Sequence, residues 1–312
     1  MVRGMIAGQQ STNPVMEYWN TDPHQHFLLR VADLTVSVVS DGSVKLGVEA
    51  KKEEFIVDNG VPDVTIKAAW GELSDDGVGN KLFDAGSVWQ LYQQGESYVF
   101  RFKSLAFGPR PYKIARFSPD FSHGEVYLQR DFFEPGQPVD PLSAPLEELL
   151  YGTLLARGRG VEIHACGLID AQGHGHLFVG KSGAGKTTMA RLWQDAPGVT
   201  ILSDDRIILR KMDGRIWMYG TPWHGAGGMA SPDKILLTGI YFLQKGDRNE
   251  LLPRRNVEAA LSLSACSFPP FYSREAVEFT LGFAEEVARE TPCYDLRVVP
   301  DRRVVEFIID QI

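Results

Sequence analysis

Gly180-Lys181-Ser182-Gly183-Ala184-Gly185-Lys186-Thr187-Thr188 fits the phosphate-loop pattern G-x-x-x-x-G-K-[ST], with Gly180, Gly185, Lys186 and Thr187 in the fixed places. Glycines at these positions let successive backbone amides turn inward around a phosphate chain, where a Cβ would intrude. Lys186 is suited to the β- and γ-phosphates, and the Thr187 hydroxyl to Mg²⁺. The amides of Ser182, Gly183, Ala184 and Thr188 complete the expected cradle. His176-Leu177-Phe178-Val179 before the loop reads as a short buried strand, and Thr188 to Trp193 after it as a helix whose positive N-terminal end favours an anion. Strand, glycine loop and helix come in the order the motif requires.

Downstream, Val199-Thr200-Ile201-Leu202-Ser203-Asp204-Asp205 is an apolar strand that ends in two carboxylates, the general form of a Walker B strand. Phosphoryl transfer needs placed phosphates, a metal, and a group that orients or deprotonates the acceptor. One aspartate suits the metal, assigned to Asp205 with Thr187, and the other is free to act as a base toward a hydroxyl. Neighbouring residues on a strand face opposite sides, so the pair cannot share one task unless the strand ends between them. Which of Asp204 and Asp205 is the base stays open on sequence. Lys186 and His164, on the strand Val161 to His164, complete the candidate catalytic set. Arg206 and His224, the latter in the loop Gly220-Thr221-Pro222-Trp223-His224-Gly225-Ala226-Gly227-Gly228, are candidates for substrate contact.

Toward the N-terminus the pattern changes. Residues 1–26 are polar and aperiodic and read as a loose arm, with His24 and His26 solvated. Residues 27–140 carry short alternating stretches such as Leu34 to Val39 and Asp63 to Ala68, and a hairpin signal at Gln94-Gly95-Glu96, which read as an antiparallel β-rich region. Glu134 to Pro145 is Pro-rich and linker-like, and residues 141–312 hold the phosphate loop as the catalytic domain. After the loop helix, strands are expected at Ile207 to Leu209, Ile216 to Tyr219, Leu236 to Leu243 and Tyr294 to Val299, and helices at Glu258 to Leu263, Arg274 to Arg289 and Arg302 to Ile309.

The 312 residues, 44% hydrophobic and 23% charged, are enough for a large α/β domain or two modest ones. A net charge of −8 argues against a duplex nucleic acid or an anionic membrane as partner. Cys166, Cys266 and Cys293 are far apart and form no C-x-x-C pair, which suits free thiols in a reducing compartment. No apolar run has the length of a membrane span, and Met1 to Gln10 lack a signal peptide's apolar core, so a cytoplasmic protein is expected.

His164-Ala165-Cys166-Gly167-Leu168-Ile169-Asp170, the GKSGAGKTT loop and Leu202-Ser203-Asp204-Asp205-Arg206, in that order, resemble the catalytic core of the HPr kinase/phosphorylase family. The resemblance covers roughly residues 145 to 245. It implies a mixed, β-rich α/β fold like that of phosphoenolpyruvate carboxykinase, with the phosphate loop embedded in the sheet rather than in a doubly wound one. It also implies an ATP- and Mg²⁺-dependent kinase, with one of Asp204 and Asp205 as base for a serine hydroxyl and His164 close to the transferred phosphate. Family members form hexamers, which makes a homo-oligomer an expectation. Thr188 stands where the family places a metal-binding glutamate, and the segment tied to dephosphorylation has no match. Gly220 to Gly225, Pro292-Cys293-Tyr294-Asp295-Leu296-Arg297 and Pro300-Asp301 look more like divergent HPr-kinase-like proteins. The expected activity is transfer of the ATP γ-phosphate to a serine-type hydroxyl of a peptide, protein or small molecule. The alternative is a nucleotide-binding regulatory protein with reduced turnover, and a carboxykinase-type reaction ranks last. No N-K-x-D motif of a GTPase and no L-S-G-G-Q-like signature of a transport ATPase occurs.

Overall fold

The computed structural model describes residues 25–74, 79–86 and 88–311, so the arm 1–26, apart from Gln25 and His26, lies outside the described residues, His24 included. The chain is mixed α/β and β-rich, built on two mixed sheets. Among the described residues, no helix is long and apolar enough to cross a membrane.

Among the described residues the first sheet has nine strands: β1 (His26–Val31), β2 (Leu34–Ser40), β3 (Ile56–Val57), β4 (Val64–Trp70), β5 (Asn80–Asp84), β6 (Trp89–Gln94), β7 (Ser97–Ser104), β8 (Gly108–Phe117) and β9 (His123–Leu128). Their order is β3-β1-β2-β4-β9-β8-β7-β6-β5. The expectation of an antiparallel sheet fails at its centre, where β4 runs parallel to both β2 and β9. Period-two alternation, as in Val64-Thr65-Ile66-Lys67-Ala68, shows which face is buried but not the direction of the neighbouring strand. That direction depends on the long crossover from β2 to β4, which the sequence pattern does not reveal. Nor is His26 solvated: it is half-buried on β1, with Nε2 3.1 Å from Ser37 Oγ.

Glu134 to Pro145 is not a free linker. Val139, Asp140 and Leu142 are buried, and Val139 bridges to Leu46. Asp140 accepts from Lys52 Nζ at 2.7 Å, which fixes the segment against the first sheet. It leads into α1 (Leu146–Leu155), whose Leu146, Leu150, Tyr151, Leu154 and Leu155 recur at helical spacing and enter the first core. The same core takes in Ile208, Tyr219 and Trp223 from the second half of the chain. Tyr151 donates to Leu29 O at 2.9 Å. The tight β1–β2 turn uses two non-glycine residues at positive φ, Ala32 (52°) and Asp33 (57°). Asp33 is held there by Tyr219 Oη at 2.9 Å and Lys234 Nζ at 2.6 Å, so partners from the second sheet offset the conformational cost.

The second sheet contains β10 (Val161–Ile169), β11 (Gly175–Val179), β12 (Thr200–Ser203), β13 (Arg206–Met212), β14 (Arg215–Tyr219), β15 (Lys234–Lys245), β16 (Glu250–Pro253) and β17 (Cys293–Val298). β10 runs on past the expected strand Val161 to His164 to Ile169. β11 pairs antiparallel with β10 and parallel with β15, and the pairings β10–β13–β14–β15–β11 close on themselves. Alternation divides the residues between two cores: Val161, Ile163, Ala165, Leu177 and Val179 enter one, and Cys166, Leu168 and Phe178 the other. The first of these is covered by α3 (Asn256–Ala265) and α4 (Arg274–Glu290), the second by α2 (Lys186–Gln194) and α5 (Arg303–Ile309). At the β10–β11 turn Asp170 gathers the chain: Oδ1 accepts the amides of Gln172 and His174, and Oδ2 lies 3.0 Å from His174 Nδ1 and from His176 Nε2.

Candidate active site

The candidate phosphate loop, Gly180 to Thr188, joins the end of β11 to α2. Phe178 on β11 packs beneath Met189, Ala190 and Trp193 of the helix, which anchors both ends of the loop in one core. Gly183 and Gly185 take positive φ of 79° and 108°, the second as the residue that caps α2. An L-residue would be strained at either place. Lys186, 6% exposed, folds back over the loop and donates to Gly180 O at 2.8 Å. Burial pushes its ammonium below the ordinary lysine value, opposed chiefly by the Asp205 charge. Among the described residues it makes no ion pair, so its charge is available to an incoming anion.

The two aspartates have different surroundings. Asp204 is buried and hydrogen-bonded on both oxygens: Gly225 N donates to Oδ1 at 2.8 Å, Gly227 N donates to Oδ2 at 2.8 Å, and Thr187 Oγ1 donates to Oδ2 at 3.2 Å, which leaves an acceptor position on Oδ1. A Cβ on Gly227 would lie 2.5 Å from Asp204 Oδ2, and one on Gly225 3.0 Å from it, so the glycines of this loop allow its backbone to approach the carboxylate. Asp205 faces the opposite side, its side chain 28% exposed. Its Oδ1 lies 3.0 Å from His164 Nε2, and its Oδ2 accepts from Arg206 Nη1. Burial first, and then the Lys186 charge, pulls the His164 imidazole below its ordinary value, so the ring is neutral near pH 7 and Nε2–H is the donor to Asp205.

Arg206 is shared among carboxylates. Its Nε lies 3.0 Å from Glu148 Oε1 on α1 and 3.1 Å from Glu162 Oε1 on β10, and its guanidinium carbon stands 4.1 Å over the Phe268 ring. Burial, followed by the Glu148 charge, holds the Glu162 carboxyl well above the usual carboxylate range.

No family model matches this chain, and no curated protein does. Among solved structures, the Hpr(Ser) kinase/phosphatase from Coxiella burnetii is similar over 48% of this chain and 88% of that one, at 12% identity and a TM-score of 0.29. A likeness of that size decides nothing about the chemistry of the site, which its own geometry must carry.

The structure brings together Lys186, Thr187, Asp204, Asp205, His164 and Arg206 around the loop Gly180 to Thr188, while Ser182 and Thr188 lie on its exposed side. Thr187, expected with Asp205 at the metal, donates instead to Asp204 in this structure, because the turn between β12 and β13 sends consecutive carboxylates to opposite sides. Arg206 is not a free cation for a substrate anion, since three carboxylates surround it. His224 is exposed and, among the described residues, reaches its neighbour alone, with Nδ1 3.0 Å from Gly225 O, while the amides of its loop are the groups that meet Asp204. Glu148, Glu162 and Phe268 were not singled out in the sequence. Only Glu148 carried a signal there, as part of an acidic pair at a helix start.

The donor set fits a nucleotide phosphate and a magnesium ion. Thr187 and Asp204 offer oxygen ligands alone, as a hard cation requires, and the loop presents a helix N-terminus and an unpaired ammonium to the phosphates.

Proposed function

We propose that this protein is an ATP- and Mg²⁺-dependent kinase that transfers the γ-phosphate to a serine-type hydroxyl. The observation that supports this most is the asymmetry of the aspartate pair at the phosphate loop. Asp204 accepts from two amides and Thr187, whereas Asp205 is open and set beside a neutral imidazole. In this reading Lys186 and the loop amides bind the β- and γ-phosphates, and Thr187 with Asp204 holds the metal. Bound there, magnesium would neutralise charge developing on the transferred group. Asp205 accepts the proton of the acceptor hydroxyl, and His164, through Nε2–H, fixes the carboxylate's orientation. Arg206 limits the rise of negative charge beside Asp205 without being free to bind the acceptor itself.

The test is γ-labelled ATP and Mg²⁺ with peptide-sized and protein-sized acceptor fractions, run on wild type, Asp205→Asn and Asp204→Asn. Asp205→Asn is expected to keep nucleotide affinity and lose transfer by roughly 10²–10⁴-fold, while Asp204→Asn loses the Mg²⁺ dependence of binding. Transfer at the wild-type rate by Asp205→Asn would sink the assignment of the base. Tight nucleotide binding by wild type without transfer to any fraction would favour the regulatory alternative.

A further inference from the structure

Beside the Asp205–Arg206 pair lies a cavity of about 270 Å³ that the phosphate-loop chemistry does not use. Its walls come from both halves of the chain: Phe83 and Trp89 of the first sheet, Leu149 and Gly152 of α1, and Phe271 and Tyr272 from the segment between α3 and α4. The aromatic walls brace one another, with Phe83 stacked on Trp89 at 5.1 Å and 6.3 Å from Tyr272. Phe271 is 69% exposed, an unusual place for a bare aromatic ring. The cavity is too small for a nucleotide and suits one large apolar side chain.

Its position and charge narrow the occupant. Phe268 lines it, and the Phe268 ring lies 6.1 Å from that of His164, which touches Asp205. These contacts run from the cavity through Phe268 and His164 to Asp205 and put it within reach of a nearby residue of an acceptor peptide, at roughly 3.3 Å per extended residue. Glu148 and Glu162 also line the cavity, and the cation between them, Arg206, already pairs with Asp205. Glu162 is buried and adds no charge, but Glu148 and Asp205 share one guanidinium and leave a surplus of negative charge at the rim, complementary to a base.

We infer that the cavity is an acceptor subsite for a peptide, which takes an apolar or aromatic side chain within two residues of the phosphorylated hydroxyl and favours a basic residue beside it. The inference rests on the kinase reading for its hydroxyl, but the binding it predicts is independent of turnover. A serine peptide with Phe and Lys within two positions of the serine is titrated by calorimetry into the protein holding Mg²⁺ and a non-hydrolysable ATP analogue. Counterparts with Ala for Phe and Glu for Lys are compared. The Phe/Lys peptide is expected to bind roughly ten- to a hundredfold more tightly than the Ala counterpart. Gly152→Trp, which fills the cavity from α1, and Phe271→Ala, a surface truncation for the case in which the first variant fails to fold, should each erase most of that ratio with ATP affinity unchanged. Glu148→Gln should narrow the Lys-over-Glu preference. Equal binding of all peptides by wild type, no peptide binding, or a preference that survives the folded cavity variants would overturn the subsite. Selective binding lost in those variants, with no phosphate transferred, would uphold the subsite and overturn the kinase reading. Transfer without any preference would do the reverse.

Discussion

Gly227→Ala tests whether the glycine-rich loop is part of the metal site. The added methyl would sit 2.5 Å from Asp204 Oδ2, 2.9 Å from its Cγ and 3.2 Å from Thr187 Cγ2. Non-bonded carbon contacts are comfortable at about 3.5 Å, so the carboxylate must retreat by something near 0.5–1 Å. Thr187 Oγ1 is already 3.2 Å from Asp204 Oδ2, and that contact breaks first. Two consequences are separable. Disturbing a charged hydrogen bond to a buried carboxylate costs about 1.5–3 kcal/mol of folding stability. Misplacing a group next to a metal lowers affinity by roughly 10–100-fold, visible by calorimetry as weaker Mg-ATP binding with metal-free ATP little changed. Gly228→Ala is the control: its methyl meets nothing within 4 Å, but its φ of +67° penalises an L-residue, so it should lose about 1 kcal/mol of stability and no magnesium affinity. Wild-type Mg-ATP affinity in Gly227→Ala, with its stability lowered, would refute the idea that this loop sets the position of Asp204.

Two lysines in different settings carry further expectations. Lys186→Ala should abolish productive Mg-ATP binding, because among the described residues no other cation is folded over the phosphate loop; unchanged affinity in calorimetry would refute the loop's role. Lys113 is fully buried, donating to Ser143 O at 2.6 Å and Oγ at 2.9 Å, and burial pushes its ammonium from 10.5 down to about 7 despite nearby Asp140 and Glu147 and with the Lys52 charge adding to the fall. The unfolded chain holds that proton more tightly, so the penalty is full below pH 7 and disappears as pH rises toward 10.5. Lys113→Met should flatten the rise of the urea midpoint between pH 7 and 10, an effect on the order of several kcal/mol, and an unchanged slope would contradict it.

How much of the molecule was legible in its sequence varied with how local the cause was. The strand before Gly180, the helix that follows the glycine loop and the apolar strand ahead of the two aspartates depend on contacts within a few residues, and they stand where the pattern put them. The parallel course of β4 and the packing of Glu134 to Pro145 onto the first sheet depend on partners tens of residues away. The cavity is less local still, since Phe83, Leu149 and Phe271 are distant in sequence and none stands out alone. His26 read as solvated because no partner for it stands nearby in the sequence; the strand partner carrying Ser37 was not visible.

The separation of the two aspartates shows where a local motif stops being sufficient. β12 and β13 both lie along β10, so Asp204 and Asp205 form the two-residue link in what would otherwise be one continuous strand. Gly167 pairs with Ser203 but Leu168 with Ile201, which leaves Leu202 as an extra residue, a bulge immediately before the acids. Ser203 Oγ, beneath the turn, accepts the amides of Asp205 at 3.3 Å and Arg206 at 3.1 Å and fixes the new direction of the chain. A side chain on Gly167 opposite would force the buried Ile207 and Met218 to move, since a Cβ there would lie 2.5 Å from Ile207 Cδ1 and 2.9 Å from Met218 Sδ. The bulge, the serine and the bare glycine together turn Asp204 toward Thr187 and leave Asp205 open toward His164. Two adjacent carboxylates thereby acquire unlike environments without any difference in their own chemistry, which is the condition for one to hold a cation while the other takes a proton.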